Sequence, residues 1–221
     1  MDLRNKTIVF QGDSITDMNR ERNNFDDKNH LYGHSFVFLL ASYFGCEMPE
    51  YNITVHNRGV SGQRSTGLKN VWQKDAIDLK PDLISILIGI NDVAGYIRCD
   101  KELTCEKYEN SLVEIIEETK AKLPDTKLII CEPFAFVEAA DEIYQKDMPR
   151  LIRENQEAAR RVAERFDCLF IPLQEVFDKA VSEHPELGHK HWIWDGIHPT
   201  AAGHRIIAKQ WMKYVTGNEA I

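Results

Sequence analysis

The run Leu83-Ile84-Ser85-Ile86-Leu87-Ile88 is almost continuously apolar. A strand reads this way when both of its faces are covered, which in practice means a parallel sheet flanked by helices. Four shorter β-rich runs accompany it, at Thr7 to Gln11, Ile53 to His56, Lys127 to Cys131 and Cys168 to Ile171. Helical spacing fills the gaps between them. Phe36, Leu39, Leu40 and Tyr43 share one face of a first helix, and Ser65 to Ile77 predicts a second. Tyr108, Leu112, Ile115, Ile116 and Thr119 share a face of another, closed by Pro124 after Leu123. Leu151 to Phe166 and Ala201 to Tyr214 complete the long ones, with Thr200 placed to cap the last, and Leu173 to Val181 suggests a short helix. Strands alternating with helices imply parallel strands joined by crossovers. The expected architecture is a three-layer α/β/α sandwich on a five-stranded parallel sheet. No linker, repeat or low-complexity run divides residues 1–221, so one domain is expected.

Charge and composition narrow the function. An apolar fraction of 43% is ordinary for a soluble globule. A formal net charge of −8 disfavours nucleic acid and anionic membrane as partners, because both reward basic patches. Ile8 to Phe10 is too short for the apolar segment of a signal peptide, and no run approaches a membrane span. The five cysteines (Cys46, Cys99, Cys105, Cys131, Cys168) are odd in number and lack a Cys-x-x-Cys spacing, so reduced thiols and a cytoplasmic location are expected.

Four short blocks carry chemistry. Gly12-Asp13-Ser14-Ile15, Asn57-Arg58-Gly59 and Gly89-Ile90-Asn91-Asp92 each follow an apolar run, and Asp195-Gly196-Ile197-His198-Pro199 precedes the last helix. Alone, each has an ordinary reading: a capping turn, a turn glycine, an Asx turn, a surface loop. Together they meet the needs of acyl transfer through serine, which are a hydroxyl, a base, a carboxylate that orients the base, and donors for an oxyanion. Ser14 is the expected nucleophile, His198 its base, and Asp195 the carboxylate three residues before it. The backbone N–H groups of Ser14 and Gly59 and the side-chain amide of Asn91 are the expected oxyanion donors. Asp13, Asp92 and Ser61 are expected to be structural. The Gly-x-Ser-x-Gly elbow is absent; Gly59-Val60-Ser61-Gly62 misses its spacing by one residue. His184, His189, His191 and His204 raise the question of zinc, yet no His-Glu-x-x-His pair or cysteine cluster accompanies them. No metal or cofactor is therefore expected.

These blocks, in this order over residues 12 to 199, resemble the SGNH hydrolases, also called the GDSL esterase/lipase family. The resemblance implies a flavodoxin-like strand order 2-1-3-4-5. That order would make the first three strands neighbours, so that Ser14, Gly59 and Asn91 converge on one crevice where strand order reverses.

The catalytic groups name a reaction and leave the substrate open. No long apolar insertion offers a lipid lid. Trp192 and Trp194 flank the Asp195 loop, where indole faces could stack on sugar rings, although packing would explain them equally. Pro81-Asp82-Leu83-Ile84-Ser85, Gly89 to Val93, and Trp194 through His198-Pro199 to Ala202-Gly203-His204 are similar to intracellular bacterial acetylxylan esterases. The expected substrate is a small acetylated carbohydrate or another short-chain ester. A short-chain lipid or lysophospholipase, a thioesterase and a non-enzymatic carbohydrate-binding relative are the alternatives. Tyr32, Arg64 and Tyr96 are further candidates for lining the crevice, with a surface ion pair as the other reading of Arg64. A homo-oligomer is compatible with the sequence.

Overall fold

A computed structural model describes residues 1–218. In chain order the elements are β1 (Thr7–Gly12), α1 (Ser14–Asp17), α2 (Phe36–Glu47), β2 (Thr54–Asn57), α3 (Ser65–Asp75), β3 (Leu83–Leu87), α4 (Ile90–Arg98), α5 (Cys105–Lys122), β4 (Lys127–Cys131), α6 (Glu142–Gln145), α7 (Met148–Phe166), β5 (Leu169–Ile171), α8 (Gln174–Glu183) and α9 (Ala201–Thr216). The five strands form one sheet in the order β2-β1-β3-β4-β5, the order that the resemblance implies, with every pair parallel. Among the described residues no helix is long and apolar enough to cross a membrane.

Alternation along the strands divides the core in two. Ile8, Phe10, Leu83, Leu87, Ile129 and Cys131 pack on one face with α2, α8 and α9. Val9, Ile84, Ile86, Leu128 and Ile130 pack on the other with α3, α5 and α7. Each layer buries a tryptophan completely and pairs its N–H with a hydroxyl. Trp211 donates to Ser85 Oγ at 3.1 Å, which explains the one polar residue in the apolar strand. Trp72 donates to Thr119 Oγ1 at 2.9 Å, and that hydroxyl donates to the Ile115 carbonyl.

Helix α3 stops at Asp75, short of the Ile77 that the pattern predicts, and Ile77–Leu79 form a single 3-10 turn. Helix α7 starts at Met148, three residues before the predicted Leu151, with Pro149 in its first turn, where the missing N–H costs nothing. The pattern does not predict α4, because the apolar part of its buried face is a short stripe (Ile90, Val93, Ala94) directly after a strand, interrupted by the buried Asp92. Cysteines 46, 99, 105, 131 and 168 are all free. Burial pushes the Cys131 thiol up to about 12 and that of Cys168 to about 11, so both stay protonated.

Replacing Thr119 by valine keeps the shape and removes the hydroxyl, leaving the buried Trp72 N–H unpaired. The expected loss is about 1–3 kcal/mol in a urea unfolding experiment, with the fold retained.

Candidate active site

Three loops leave the carboxyl ends of β2, β1 and β3, which are neighbours in that order. The loop after β1 carries Ser14 at the first position of α1, where Asp13 caps the turn by accepting the Ile15 N–H at 2.9 Å. A helix start leaves its first N–H groups without intrahelical partners, so the Ser14 N–H is a donor available to an anion. The loop after β2 carries Gly59, and the one after β3 enters α4 through Asn91.

The fourth segment comes from the other end of the chain. An isolated antiparallel bridge between Ile193 and Pro199, and a bond from the Trp194 N–H to the His198 carbonyl at 3.1 Å, close the loop that presents Asp195 and His198. Asp195 Oδ1 accepts the N–H groups of Ile197 (3.0 Å) and His198 (2.8 Å). Its Oδ2 lies 2.7 Å from His198 Nδ1, and His198 Nε2 lies 2.8 Å from Ser14 Oγ. Burial alone would raise the Asp195 carboxyl, but the bonds from the His198 backbone, the His198 ring and Ile197 hold it below its usual value. A proton on Nδ1 toward Asp195 leaves Nε2 free to take the proton of Ser14. The loop is also tied sideways, since the Phe136 N–H donates to the Gly196 carbonyl at 2.9 Å.

Asn91 is held by its Nδ2, which donates to the Gln63 carbonyl at 3.1 Å and keeps one amide hydrogen in reserve. Gly59 does not fill the expected role. Its N–H is spent on Asn57 Oδ1 at 3.0 Å, and a β-carbon there would lie 2.5 Å from the Asp17 nitrogen and 2.8 Å from Thr16 Cβ. Gly59 is a packing glycine. The exposed glycine of this loop is Gly62, with φ +80 and open space where a β-carbon would stand. It adjoins Gln63, whose carbonyl touches Asn91. Its N–H is the remaining candidate donor of this loop, one residue before the Gln63 carbonyl that holds Asn91.

The other candidates separate cleanly. Trp194 is 59% exposed, and its ring stacks on that of His198, with centroids 6.3 Å apart and an interplanar angle of 27°. Trp192 is a packing residue instead: half-buried, against His184 and His191, with its carbonyl accepting the Thr200 N–H. Tyr32 lies away from the catalytic groups, along the outer edge of β2 with Ile53, Val55 and Phe44. Arg64 pairs with Asp100 at 3.1 Å, the surface ion pair rather than a crevice contact. Tyr96 sits under the Lys101 ammonium, 4.3 Å from the ring centroid. His204 is buried, accepts the Phe36 N–H on Nδ1, and is pushed by burial down to about 3. Among the described residues no three His, Cys, Asp or Glu side chains are grouped to hold a metal ion. The largest cavity described, about 680 Å³, lies between α7, α8 and residues 135–138 and holds none of the reactive groups, so chemistry rather than volume locates the site.

Three carboxylates are buried in the segments that follow β1 and β3. Asp92 accepts both the N–H and the hydroxyl of Ser65. Asp17 holds Ser61. Asp13 is fully buried, with Oδ2 unpartnered among the described residues, and burial raises its carboxyl to about 7, against the opposing pull of the Ile15 N–H and His198. A carboxyl that holds its proton more tightly folded than unfolded makes the folded state less stable as pH rises from about 4 to 7, with the full cost present above 7. That cost is on the order of 4 kcal/mol.

Asp13→Asn keeps the cap and removes the charge, so its Tm should exceed that of the parent by more at pH 8 than at pH 5. Gly59→Ala should lower Tm, by an overpacking cost of about 1–3 kcal/mol. Gly62→Ala meets no atom but strains a backbone held at φ +80, so Tm should fall modestly while kcat falls about tenfold or more as the loop shifts its N–H.

An acetylxylan esterase of Geobacillus stearothermophilus is 30% identical over 213 residues, 94% of this chain and 93% of its own. Its crystal structure superposes with a TM-score of 0.87 at 29% identity, covering 100% of this chain and 99% of that one. Its catalytic mutants replace an aspartate or, three residues on, a histidine by alanine, the spacing of Asp195 and His198 here. A structure described as a GDSL-like lipase from Parabacteroides merdae gives a TM-score of 0.87 at 34% identity, covering 96% of this chain and 95% of that one. An uncharacterized lipoprotein of Bacillus subtilis is 25% identical over 126 residues, 57% of this chain and 48% of its own. The profile of GDSL-like lipases and acylhydrolases matches residues 10–206, which takes in Ser14, Asn91, Asp195 and His198 alike, and the chain is a carboxylic ester hydrolase of that family.

Proposed function

We propose that this ester hydrolase removes acetyl groups from small xylose-type oligosaccharides or related sugars through an acyl-Ser14 intermediate. The observation that carries the mechanism is the continuous chain from Ser14 Oγ through the His198 ring to Asp195 Oδ2, with contacts of 2.8 and 2.7 Å. Ser14 Oγ attacks the ester carbonyl carbon while His198 Nε2 takes its proton. Asp195 stabilises the imidazolium that forms. The oxyanion of the tetrahedral intermediate accepts from the Ser14 N–H, the Gly62 N–H and Asn91 Nδ2, three donors fixed by bonds made before substrate arrives. Collapse expels the sugar alkoxide, which takes the proton from His198. Water then attacks the acetyl-serine with His198 as base, releasing acetate and restoring Ser14.

The sugar half of the reading rests on Trp194. An indole face left exposed beside the catalytic imidazole is a flat apolar platform of the kind that covers the C–H face of a sugar ring. Likeness to an acetylxylan esterase along nearly the whole chain supports the same substrate class.

Acetyl, butyryl and octanoyl esters should be compared by kcat/KM, together with acetate release from acetylated xylobiose. Acetyl esters are expected to lead, since each extra methylene gains its roughly 0.8 kcal/mol only where an apolar wall receives it. Ser14→Ala should lose about 10⁴-fold or more in kcat. Trp194→Ala should impair the sugar ester more than a small aryl acetate. A preference for octanoyl esters without acetate release from the sugar would make this a lipid esterase instead.

A further inference from the structure

The donors of the oxyanion site and the nucleophile stand on different loops, and one buried carboxylate ties them together. Asp17 ends α1, the single helical turn that Ser14 begins, and is 1% exposed. Its Oδ2 accepts the Ser61 N–H at 3.0 Å, the Ser61 hydroxyl at 2.6 Å and Arg22 Nη2 at 2.5 Å. Arg20 lies 3.7 Å from Oδ1 and donates its Nε–H to the Gly59 carbonyl at 2.8 Å. Ser61 immediately precedes Gly62, and Gln63 immediately follows it, closed on Val60 by a backbone bond and holding Asn91 through its carbonyl.

We propose that Asp17 is the positioning residue of the oxyanion site, setting the Gly62 N–H and the Asn91 amide at the correct distance from Ser14 Oγ. The inference rests on the acyl-serine mechanism proposed above. Packing gives no reason for a carboxylate here. Burying one is costly, and Oδ1 has no hydrogen bond among the described residues. What the charge provides is one oxygen able to accept three donors at once through short, charge-assisted bonds, which a neutral amide oxygen does less well. Arg20 and Arg22 balance the charge from the loop that follows α1, and Arg20 adds a second tie to the same segment. A rigid link of one helical turn and one side chain thus separates nucleophile from donors. Displacements of about 1 Å in such an arrangement cost on the order of 10²-fold in rate.

The test uses the full chain with an acetyl ester, reading kcat, KM, Tm and the rate of inactivation by an aryl phosphonate, from which Ser14 Oγ displaces the aryl oxide to leave a phosphonyl-serine whose phosphoryl oxygen stands where the oxyanion would. Asp17→Asn is expected to lower kcat about 10- to 100-fold with KM within about twofold, and to slow phosphonylation by the same factor. Ser61→Ala, which leaves the carboxylate and its arginines in place, should lower kcat by about 3- to 10-fold. The double variant should be no slower than Asp17→Asn alone, because both act through one contact. Should Asp17→Asn fail to fold, Ser61→Ala decides the matter. A folded variant with parental kcat and phosphonylation rate, a loss confined to KM, or independent multiplication of the two effects overturns the positioning role. Failure of the phosphonate to label the parent at Ser14, with Ser14→Ala as control, would instead overturn the acyl-serine mechanism.

Discussion

Strand β1 is hydrogen-bonded in parallel on both edges, to β2 through Thr7–Phe10 and to β3 through Ile8–Gly12. Parallel ladders run all strand ends the same way, so the loops after β2, β1 and β3 leave the sheet side by side at its carboxyl edge. Every other feature of the site is downstream of that pairing. Ser14 lies two residues beyond the last β1–β3 partner, and Asn91 four residues beyond Leu87. The ladder places the alpha carbons, and the side chains need only local turns to reach one another. Because β1 and β3 are buried on both faces, a slip of register would carry Phe10 and Leu87 into the opposite layer, where other side chains already fill the space, and the packing of both layers resists it.

Around Ser14 the fold accepts a concentration of buried carboxylates that no core needs. Asp13, Asp17 and Asp92 are each exposed by 2% or less. Their surroundings differ in kind. Asp17 is answered by two arginines and by Ser61, and Asp92 by the N–H and hydroxyl of Ser65. Asp13 has only the Ile15 N–H and a raised affinity for its proton. Each binds a turn of backbone rather than a substrate. The short helix α1, four residues long, could not hold its geometry on helical hydrogen bonds alone, and the carboxylates supply the missing restraint.

The segment bearing Asp195 and His198 is anchored differently, because it has no strand to extend from. Ile193, completely buried, and the bridge to Pro199 fix its base, Thr200 caps α9, and residues 136–140 brace its side. Asp195 spends one oxygen on two N–H groups of its own loop and the other on the imidazole. The carboxylate therefore shapes the loop and orients the base with the same side chain, which is why a spacing of three residues suffices. Trp194 faces solvent from that loop because its neighbour Ile193 takes the inward position.

The element types and their order were legible in the chain, since periods of two and 3.6 residues are local properties that burial imposes on neighbouring positions. That Ser14, His198 and Asp195 would be brought together was legible too, because acyl transfer calls for those residue types and the short loop that joins two of them is a local matter. The strand order followed from family likeness and not from any pattern. What lay beyond sequence reasoning was which of several equivalent groups is free. Gly59 and Gly62 are three residues apart in one loop, and either could be an oxyanion donor. Only the folded chain shows Asn57 Oδ1 taking the Gly59 N–H and Asp17 packing against its α-carbon. Likewise Trp192 and Trp194 are two residues apart, yet one packs against His184 and His191 and the other stacks on the His198 ring. Arg64 spends its charge on Asp100, and Tyr32 turns to the outer edge of β2. A donor, a charge or an aromatic face is available only if nothing else in the fold has claimed it, and the claimants lie up to tens of residues away, so the sequence determines which groups exist and the tertiary structure decides which of them remain to meet a substrate.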